Sequence, residues 1–339
     1  MRSDTESKLN FNQSLVRGII LKEFLISKND EGQRLDRFIG KAIPLLPSSL
    51  TQKYIRLKRI KVNGKGSKKD YKLIEGDRVQ CYINDEFFGK PVEKNAYLAV
   101  SRPKLNIVYE DSHILLLNKP EGMLCHSTGA WNANTLVAHV QAYLRGEGEW
   151  VAEDENSFVP ALCNRIDRNT QGIVIAAKTA GALRVINDKI KKREIDKFYL
   201  CIVHGLPRPA EGTLTNYIFK DSVKNQVFIR KAPEKGTKIA VTKYKTLKSK
   251  NGLSLVECEL ITGRTHQIRA QLAAAGYPLL GDSKYGRESK NRSFGESSQA
   301  LCSYRLKFSF RTDAGELNYL NGREFSLENI GFVRKYFDE

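Results

Sequence analysis

The stretch Asn164-Arg165-Ile166-Asp167-Arg168-Asn169-Thr170-Gln171-Gly172, running on into the apolar Ile173–Ala177, decides how this chain is read. One carboxylate, Asp167, stands between two arginines just before a segment whose composition predicts a buried strand. A carboxylate beside a guanidinium keeps its charge even where water is excluded. Such a group serves as a nucleophile or a base without a histidine partner. The plain alternative is a surface ion pair at the entrance to a strand. A second cluster, Gly263-Arg264-Thr265-His266-Gln267-Ile268-Arg269, weighs against that alternative. Its spacing predicts a helix over 265–275 closed by Gly276, with N-terminal amides that favour anions. His266 and Arg269 are three apart and share a face of that helix. No second metal ligand has suitable spacing, so His266 reads as a hydrogen-bonding or phosphate-facing group.

Around these clusters lies a chain of 339 residues, a length that suits two domains. Apolar residues make up 41% and charged residues 28%, which suits a folded core and excludes wholesale disorder. Fifty-six Lys and Arg against 38 Asp and Glu leave a formal charge of +18. That much like charge on a compact body points to an external polyanion, either nucleic acid or an anionic membrane. Apolar runs such as Ile114–Leu117 fall far short of the ~20 residues that span a bilayer, so no membrane partner is inferred. The six cysteines, at 81, 125, 163, 201, 258 and 302, form no C-x-x-C pair and read as reduced core thiols. The first residues are polar and show no secretory pattern, so a cytoplasmic protein is expected. No fixed-period repeat is present.

The pattern divides the chain into a leader (1–17), a small module (18–85), a linker (86–104) and a larger body (105–339). In the module, Ile19–Ile26 predicts a strand, and Leu35, Phe38, Ile39 and Ala42 fall at helical spacing. Pro47 opens a second helix, which ends at Lys61-Val62-Asn63-Gly64 in a tight turn. Gly76-Asp77 makes a further turn before the strand Arg78–Ile83. Between Thr51 and Asp70 stand eight Lys and Arg against one acid, among them Lys53, Arg56, Arg59, Lys61 and Lys65. Such a cluster neutralises successive phosphates and releases their counterions; the bland reading is a solvated basic face. In the larger body strands and helices do not alternate strictly, which predicts α+β rather than a doubly wound sheet.

In its order of helices, Val62-Asn63-Gly64 and Gly76-Asp77, the module resembles the small RNA-binding domain named after a ribosomal small-subunit protein. The larger body resembles the RluA-type RNA pseudouridine synthases. That family carries an H-R-L-D-R-x-T-S-G-like motif, met here by Asn164–Gly172, and a G-R-T-H-Q-I-R motif, intact at Gly263–Arg269. Gly281-Asp282-Ser283-Lys284-Tyr285-Gly286, Lys197-Phe198-Tyr199 and Asn118-Lys119-Pro120-Glu121-Gly122 resemble further family segments in the right order. The resemblance covers about residues 105 to 325, with two departures: Asn164 stands where the family commonly has His, and Gln171 where it often has Ser.

The resemblance implies a mixed, largely antiparallel central sheet with helices and loops around an active-site cleft. It implies isomerisation of uridine to pseudouridine in RNA, a reaction whose substrate and product are isomers, so no redox cofactor, metal or nucleotide is expected. Asp167 is then the catalytic carboxylate, by covalent attack or by removal of a ribose proton. Arg269 pairs with it and orients it. Tyr199, which without the family reads as a core aromatic, stacks on the uracil and is placed to shuttle a proton. Arg165 enters the RNA as the uridine leaves, and Arg168, Arg264 and His266 join it in holding RNA. The N-terminal module points to large-subunit ribosomal RNA, with transfer RNA as the other candidate; no obligate protein partner is inferred. Two other classes stand beside this reading: a catalytically silent RNA-binding or ribosome-assembly factor, and a nucleoside or glycoside hydrolase. The hydrolase needs a second carboxylate that neither chemical motif supplies.

Overall fold

The computed structural model describes residues 19–88, 96–127, 134–221, 223–286, 291, 294–296 and 298–337; the expected leader (1–17) lies outside them. The described residues fall into two compact units, those within Met1–Asn95 and Val151–Val159, and those within Ala96–Trp150 and Pro160–Glu339.

The first unit runs β1 (Ile19–Leu25), α1 (Leu35–Ala42), α2 (Ser48–Arg56), β2 (Ile60–Val62), β3 (Lys65–Gly66) and β4 (Arg78–Asn84), in an antiparallel sheet of order β1-β4-β2-β3. Leu35, Phe38 and Ile39 of α1 bury one helical stripe, and Val79, Cys81 and Ile83 of β4 bury one strand face. The second helix stops at Arg56, earlier than its sequence suggests, because Ile60–Val62 is extended and pairs with β4. Asn63 and Gly64 both take positive φ, 50° and 76°, as a tight hairpin turn requires. The two turn signals dock on each other. Asp77 accepts from Asn63 Nδ2 at 2.7 Å and from the Ile74 amide at 2.9 Å, while Asn63 Oδ1 accepts from the Arg78 amide at 2.8 Å.

Residues 151–159, which the sequence groups with the larger body, belong to this first unit by contact. The reason is a fully buried carboxylate, Asp30, which accepts from Ser157 Oγ at 2.6 Å and Asn156 Nδ2 at 2.8 Å. Gln33 Nε2 also donates to Ser157 Oγ at 2.9 Å. A charge out of water needs such donors, and the chain supplies them from more than a hundred residues away.

The second unit comprises β5 (Ile107–Glu110), β6 (Ile114–Lys119), α3 (Leu136–Gly146), β7 (Ala161–Leu162), β8 (Gln171–Ala177), α4 (Ala180–Lys191), β9 (Ile195–His204), β10 (Glu211–Asp221), β11 (Gln226–Arg230), β12 (Lys238–Lys250), β13 (Leu253–Leu260), α5 (Gln267–Ala274), β14 (Leu301–Phe308), β15 (Glu324–Ser326) and α6 (Gly331–Phe337). Its sheet runs β11-β10-β12-β13-β9-β14-β8-β6-β5, with β15 on β14 and β7 on β8. The fold is α+β with a mixed, largely antiparallel sheet, as expected. Among the named strands of the described residues the parallel pairing is that of β14 with β8. There Gly172, at φ 127°, lets the strands approach so closely that a Cβ would lie 2.3 Å from the Ser303 carbonyl oxygen.

Helix α4 packs Ala182 and Ile186 over β6, β8 and β14, and α6 helps cover Leu200, Ile202 and Cys302. The second half of the expected linker is docked rather than free: Tyr97 is buried edge-on against Trp150 at 5.1 Å, and the Lys104 amide donates to His139 Nδ1. Residues 89–95 of that linker lie outside the described ones. All six cysteines are free and five are buried. No helix among the described residues is long and apolar enough to cross a membrane.

Candidate active site

Asp167 sits in the loop that enters β8, beside the parallel seam. Three supports hold that loop. Asn164 Oδ1 accepts from the Ile175 amide at 2.8 Å, bracing the loop against its own strand. The Thr170 amide donates to the Asp167 carbonyl at 3.1 Å. The third support is Lys119, fully buried at the end of β6. Its ammonium donates to the carbonyls of Pro120, Met123 and Arg168 at 2.8, 2.8 and 2.9 Å, tying the 120–123 segment to the Asp167 loop. Burial pulls the Lys119 pKa down to about 8.

The carboxylate of Asp167 is about one quarter exposed and meets a buried arginine. Arg269, on α5, donates through Nη1 to Asp167 Oδ2 at 3.1 Å. Its Nε and Nη2 grip Asp282 Oδ2 and Oδ1 at 2.7 and 2.9 Å, a bidentate pair that fixes the guanidinium plane. Asp282 is fully buried and is itself held by the amides of Lys284 and Tyr285 at 2.9 and 3.0 Å. Burial pushes the Asp282 carboxyl up, but the hydrogen bond and charge of Arg269 outweigh it and the pKa falls below the ordinary value. Burial likewise works against the charge of Arg269, and the hydrogen bond to Asp282, with both carboxylate charges, more than reverses it.

Helix α5 begins at Gln267, two residues later than the spacing predicts, because His266 takes the left-handed conformation at φ 51°. That kink aims the imidazole at Asp167, with Nε2 3.9 Å from Oδ2. On its other side Nδ1 lies 2.9 Å from Tyr285 Oη, which accepts from the Val227 amide at 2.9 Å. Burial lowers the His266 pKa, which favours the neutral ring. A carboxylate facing Nε2 favours a proton there, leaving Nδ1 to accept from the Tyr285 hydroxyl.

Tyr199, on β9, is opposite Ser303 of β14 and Cys258 of β13 and is almost fully buried. Burial, reinforced by the charge of Asp167, raises its pKa far enough that the phenol keeps its proton. A cavity of about 300 Å³ is lined by Arg165, Asp167, Tyr199, Arg264, His266 and Arg269 among others.

The structure thus brings together Asp167, Tyr199, Arg269, Arg165, Arg264 and His266. It corrects one feature of the central motif. The arginines that flank Asp167 in sequence form no described ion pair with it: Arg165 is exposed, and Arg168, also exposed, donates to the Gly122 carbonyl at 3.0 Å. The partner comes instead from 102 residues away. Arg264 donates through Nε to the Ile239 carbonyl at 3.0 Å.

The module candidates belong to the first unit. Lys53 and Arg56 line a groove on α2 with Lys68 and Lys69. Arg59 stands over Tyr54 at 5.5 Å, Lys61 over Tyr82 at 5.1 Å, and Lys65 is exposed on β3. Sequence reasoning gave no role to Lys119, Asp282 or Tyr285. It also passed over a second basic region, 208–250, that counting charges would have found.

With the geometry in place, comparison with known proteins gives a consistent result. The family model described as RNA pseudouridylate synthase matches residues 113–274. The ribosomal large subunit pseudouridine synthase C of Buchnera aphidicola (subsp. Baizongia pistaciae) is 32% identical over 77% of this chain and 79% of its own length. The protein of the same name from Escherichia coli K12 is 29% identical over 83% and 85%. Human RNA pseudouridylate synthase domain containing 4 shares the fold, with a TM-score of 0.52 at 20% identity, over 70% of this chain and 94% of the human one. Three sequence motifs that line one cavity, and relatives matched along most of their length, show that this chain belongs to the RNA pseudouridylate synthase family and is an RNA-modifying isomerase.

Proposed function

We propose that this enzyme converts uridine to pseudouridine in large-subunit ribosomal RNA, with Asp167 as the carboxylate that acts on a flipped-out nucleoside. The observation that carries the reading is the chain Asp282–Arg269–Asp167. A fully buried carboxylate fixes a guanidinium in two directions, and that guanidinium holds the one accessible carboxylate of the set at the cavity wall. Preorganised charge of this kind is the usual source of rate enhancement, and a silent RNA-binding factor has no use for it.

In the reaction the bond from uracil N1 to the ribose breaks, the base turns, and C5 bonds to the same ribose carbon. The proton on C5 leaves and N1 takes one up, so the atoms balance. Asp167 acts on the ribose, by attack or by proton removal. Arg269 keeps its oxygen directed. Tyr199 stacks on the uracil, an interaction worth ~1–3 kcal/mol per base. Its buried hydroxyl keeps its proton, which suits it to donate a hydrogen bond to the turning base. Arg165, exposed at the cavity wall, fills the space the uridine leaves, and extrusion of that uridine costs a few kcal/mol.

The ribosomal substrate is carried over from the relatives' names, and it implies work in the cytoplasm. The basic groove of the first unit supplies sequence-blind affinity for the same RNA. Asp167→Asn is expected to abolish pseudouridine formation, read as tritium release from RNA labelled at uracil C5, while RNA binding stays within about twofold. Retained turnover in that variant rules out the assignment. Pseudouridine mapping of ribosomal and transfer RNA from cells with and without the gene identifies the substrate.

A further inference from the structure

The positive charge of this protein is not confined to the first unit. From Arg208 to Lys250, eleven Lys and Arg stand against three Asp and Glu. These residues build β10, β11 and β12, the antiparallel strands at one end of the catalytic sheet. One face of this arm buries Ile218, Val227 and Ala240 against Ala270 of α5 and Tyr285, next to the site. Strand alternation sends Tyr217, Phe219, Phe228, Arg230 and Ile239 to the opposite face. The register sets Tyr217 beside both Arg230 and Ile239, and Phe219 beside Phe228. Phe219 is 37% exposed and Ile239 41%. The Arg230 guanidinium stands over the Phe228 ring at 5.9 Å. Lys224, Lys231 and Lys235 are exposed in the turns that join these strands.

Neighbouring exposed aromatic and branched apolar side chains on a sheet invite a partner. A second copy of this chain would bring like charge against like charge. The combination of flat aromatic rings, a stacked arginine and a fringe of lysines suits unpaired RNA, whose bases stack and whose phosphates are neutralised. The face is also continuous with the cavity. Arg264, which lines the cavity, donates to the Ile239 carbonyl, and the Val241 amide donates to Thr262 Oγ1 at 2.9 Å just before the Gly263–Arg269 loop.

We propose that the outer face of β10, β11 and β12 is a second RNA-contacting surface, on which unpaired nucleotides flanking the target uridine stack after passing Arg264. The inference rests on the proposed function for its ligand, but its test does not need turnover.

Full-length protein is irradiated with a twelve-nucleotide oligouridylate carrying 4-thiouridine, and the adducts are mapped by mass spectrometry. Adducts are expected on the peptides that carry Phe219 and Phe228. Their yield is expected to fall about tenfold in the F219A/I239A double variant, in line with the loss of base stacking, while adducts on the 53–69 region persist. Both substituted side chains are exposed, and an unchanged thermal midpoint verifies the fold. Adducts confined to other regions, or an equal yield in the double variant, overturn the proposal. So does a concentration-dependent dimer in sedimentation that the double variant abolishes, since that assigns the face to a second copy. Absence of pseudouridine formation by the wild-type protein would count against the proposed function alone.

Discussion

Charge is used in two different ways in this molecule. At the cavity, Asp282, Arg269 and Lys119 are buried, and every one of them is held by specific partners at hydrogen-bond distance. On the α2 groove and the β10–β12 arm the charges are exposed and spaced along a surface. A buried charge is costly unless paired, so its geometry is fixed and its loss is severe. An exposed charge is screened by water and salt, so it acts through number rather than position. The first kind holds the Asp167 carboxylate in one orientation; the second suits the polyanion proposed as substrate.

The contrast is tested most strongly by Arg269→Leu. It should cost about 3–5 kcal/mol of stability, because Asp282 is left buried without its counter-charge, and it should abolish turnover. The double variant Arg269→Leu/Asp282→Leu should recover most of the stability in thermal unfolding and none of the activity. Recovery of both would show that the ion chain is structural only.

Lys119→Met leaves three carbonyls without a donor and should lower stability by about 3 kcal/mol, with a loss of kcat. The wild-type lysine also has a pH signature. Its folded pKa is about 8 against 10.5 for an ordinary lysine. Between those values the unfolded chain binds the proton more than the folded chain does, so this group makes stability rise with pH. Activity should move the opposite way, since an uncharged amine has one donor fewer for the three carbonyls that anchor the Asp167 loop. A pH profile of kcat/KM that stays level through pH 8 to 10 contradicts this.

Ser157→Ala removes one of the donors to buried Asp30 and should destabilise the first unit by about 1–3 kcal/mol, seen as faster amide exchange in β1 and α1. The same clasp bears on truncation. A cut at residue 85 strips residues 151–159 of their partners, so the deletion must replace that segment before RNA binding and chemistry can be compared. The smallest effect belongs to the exposed charges. Lys53→Gln/Arg56→Gln should weaken binding to structured RNA several-fold, lower the salt slope by about one unit for each phosphate no longer neutralised, and leave kcat unchanged.

The helices of the first unit were legible because each has a single apolar stripe, and the Asn63-Gly64 turn because only a few residues tolerate positive φ. Asp167, Tyr199 and Arg269 were legible through motif resemblance. Their local setting was not: the guanidiniums adjacent in sequence point elsewhere, since neighbours along a loop need not face each other. Lys119 gave no signal, because an ammonium at the end of an apolar strand is read as solvated until three carbonyls are seen around it. The helix expected from Thr265 begins at Gln267, because His266 turns left-handed to reach Asp167 and Tyr285.

Sequence alone determined what is local or additive: the total charge, the amphipathic stripes, the turns and the reactive residue types in their order. Tertiary structure alone decided which residue holds Asp167, which carbonyls anchor its loop, and that residues 151–159 complete the first unit. It also gathered the aromatic side chains of 208–250 into a surface, by placing alternate side chains of three strands on one face. The physical reason is the same in each case. Burial makes a charge or a polar group depend on partners, and those partners are brought in by chain segments tens to more than a hundred residues away.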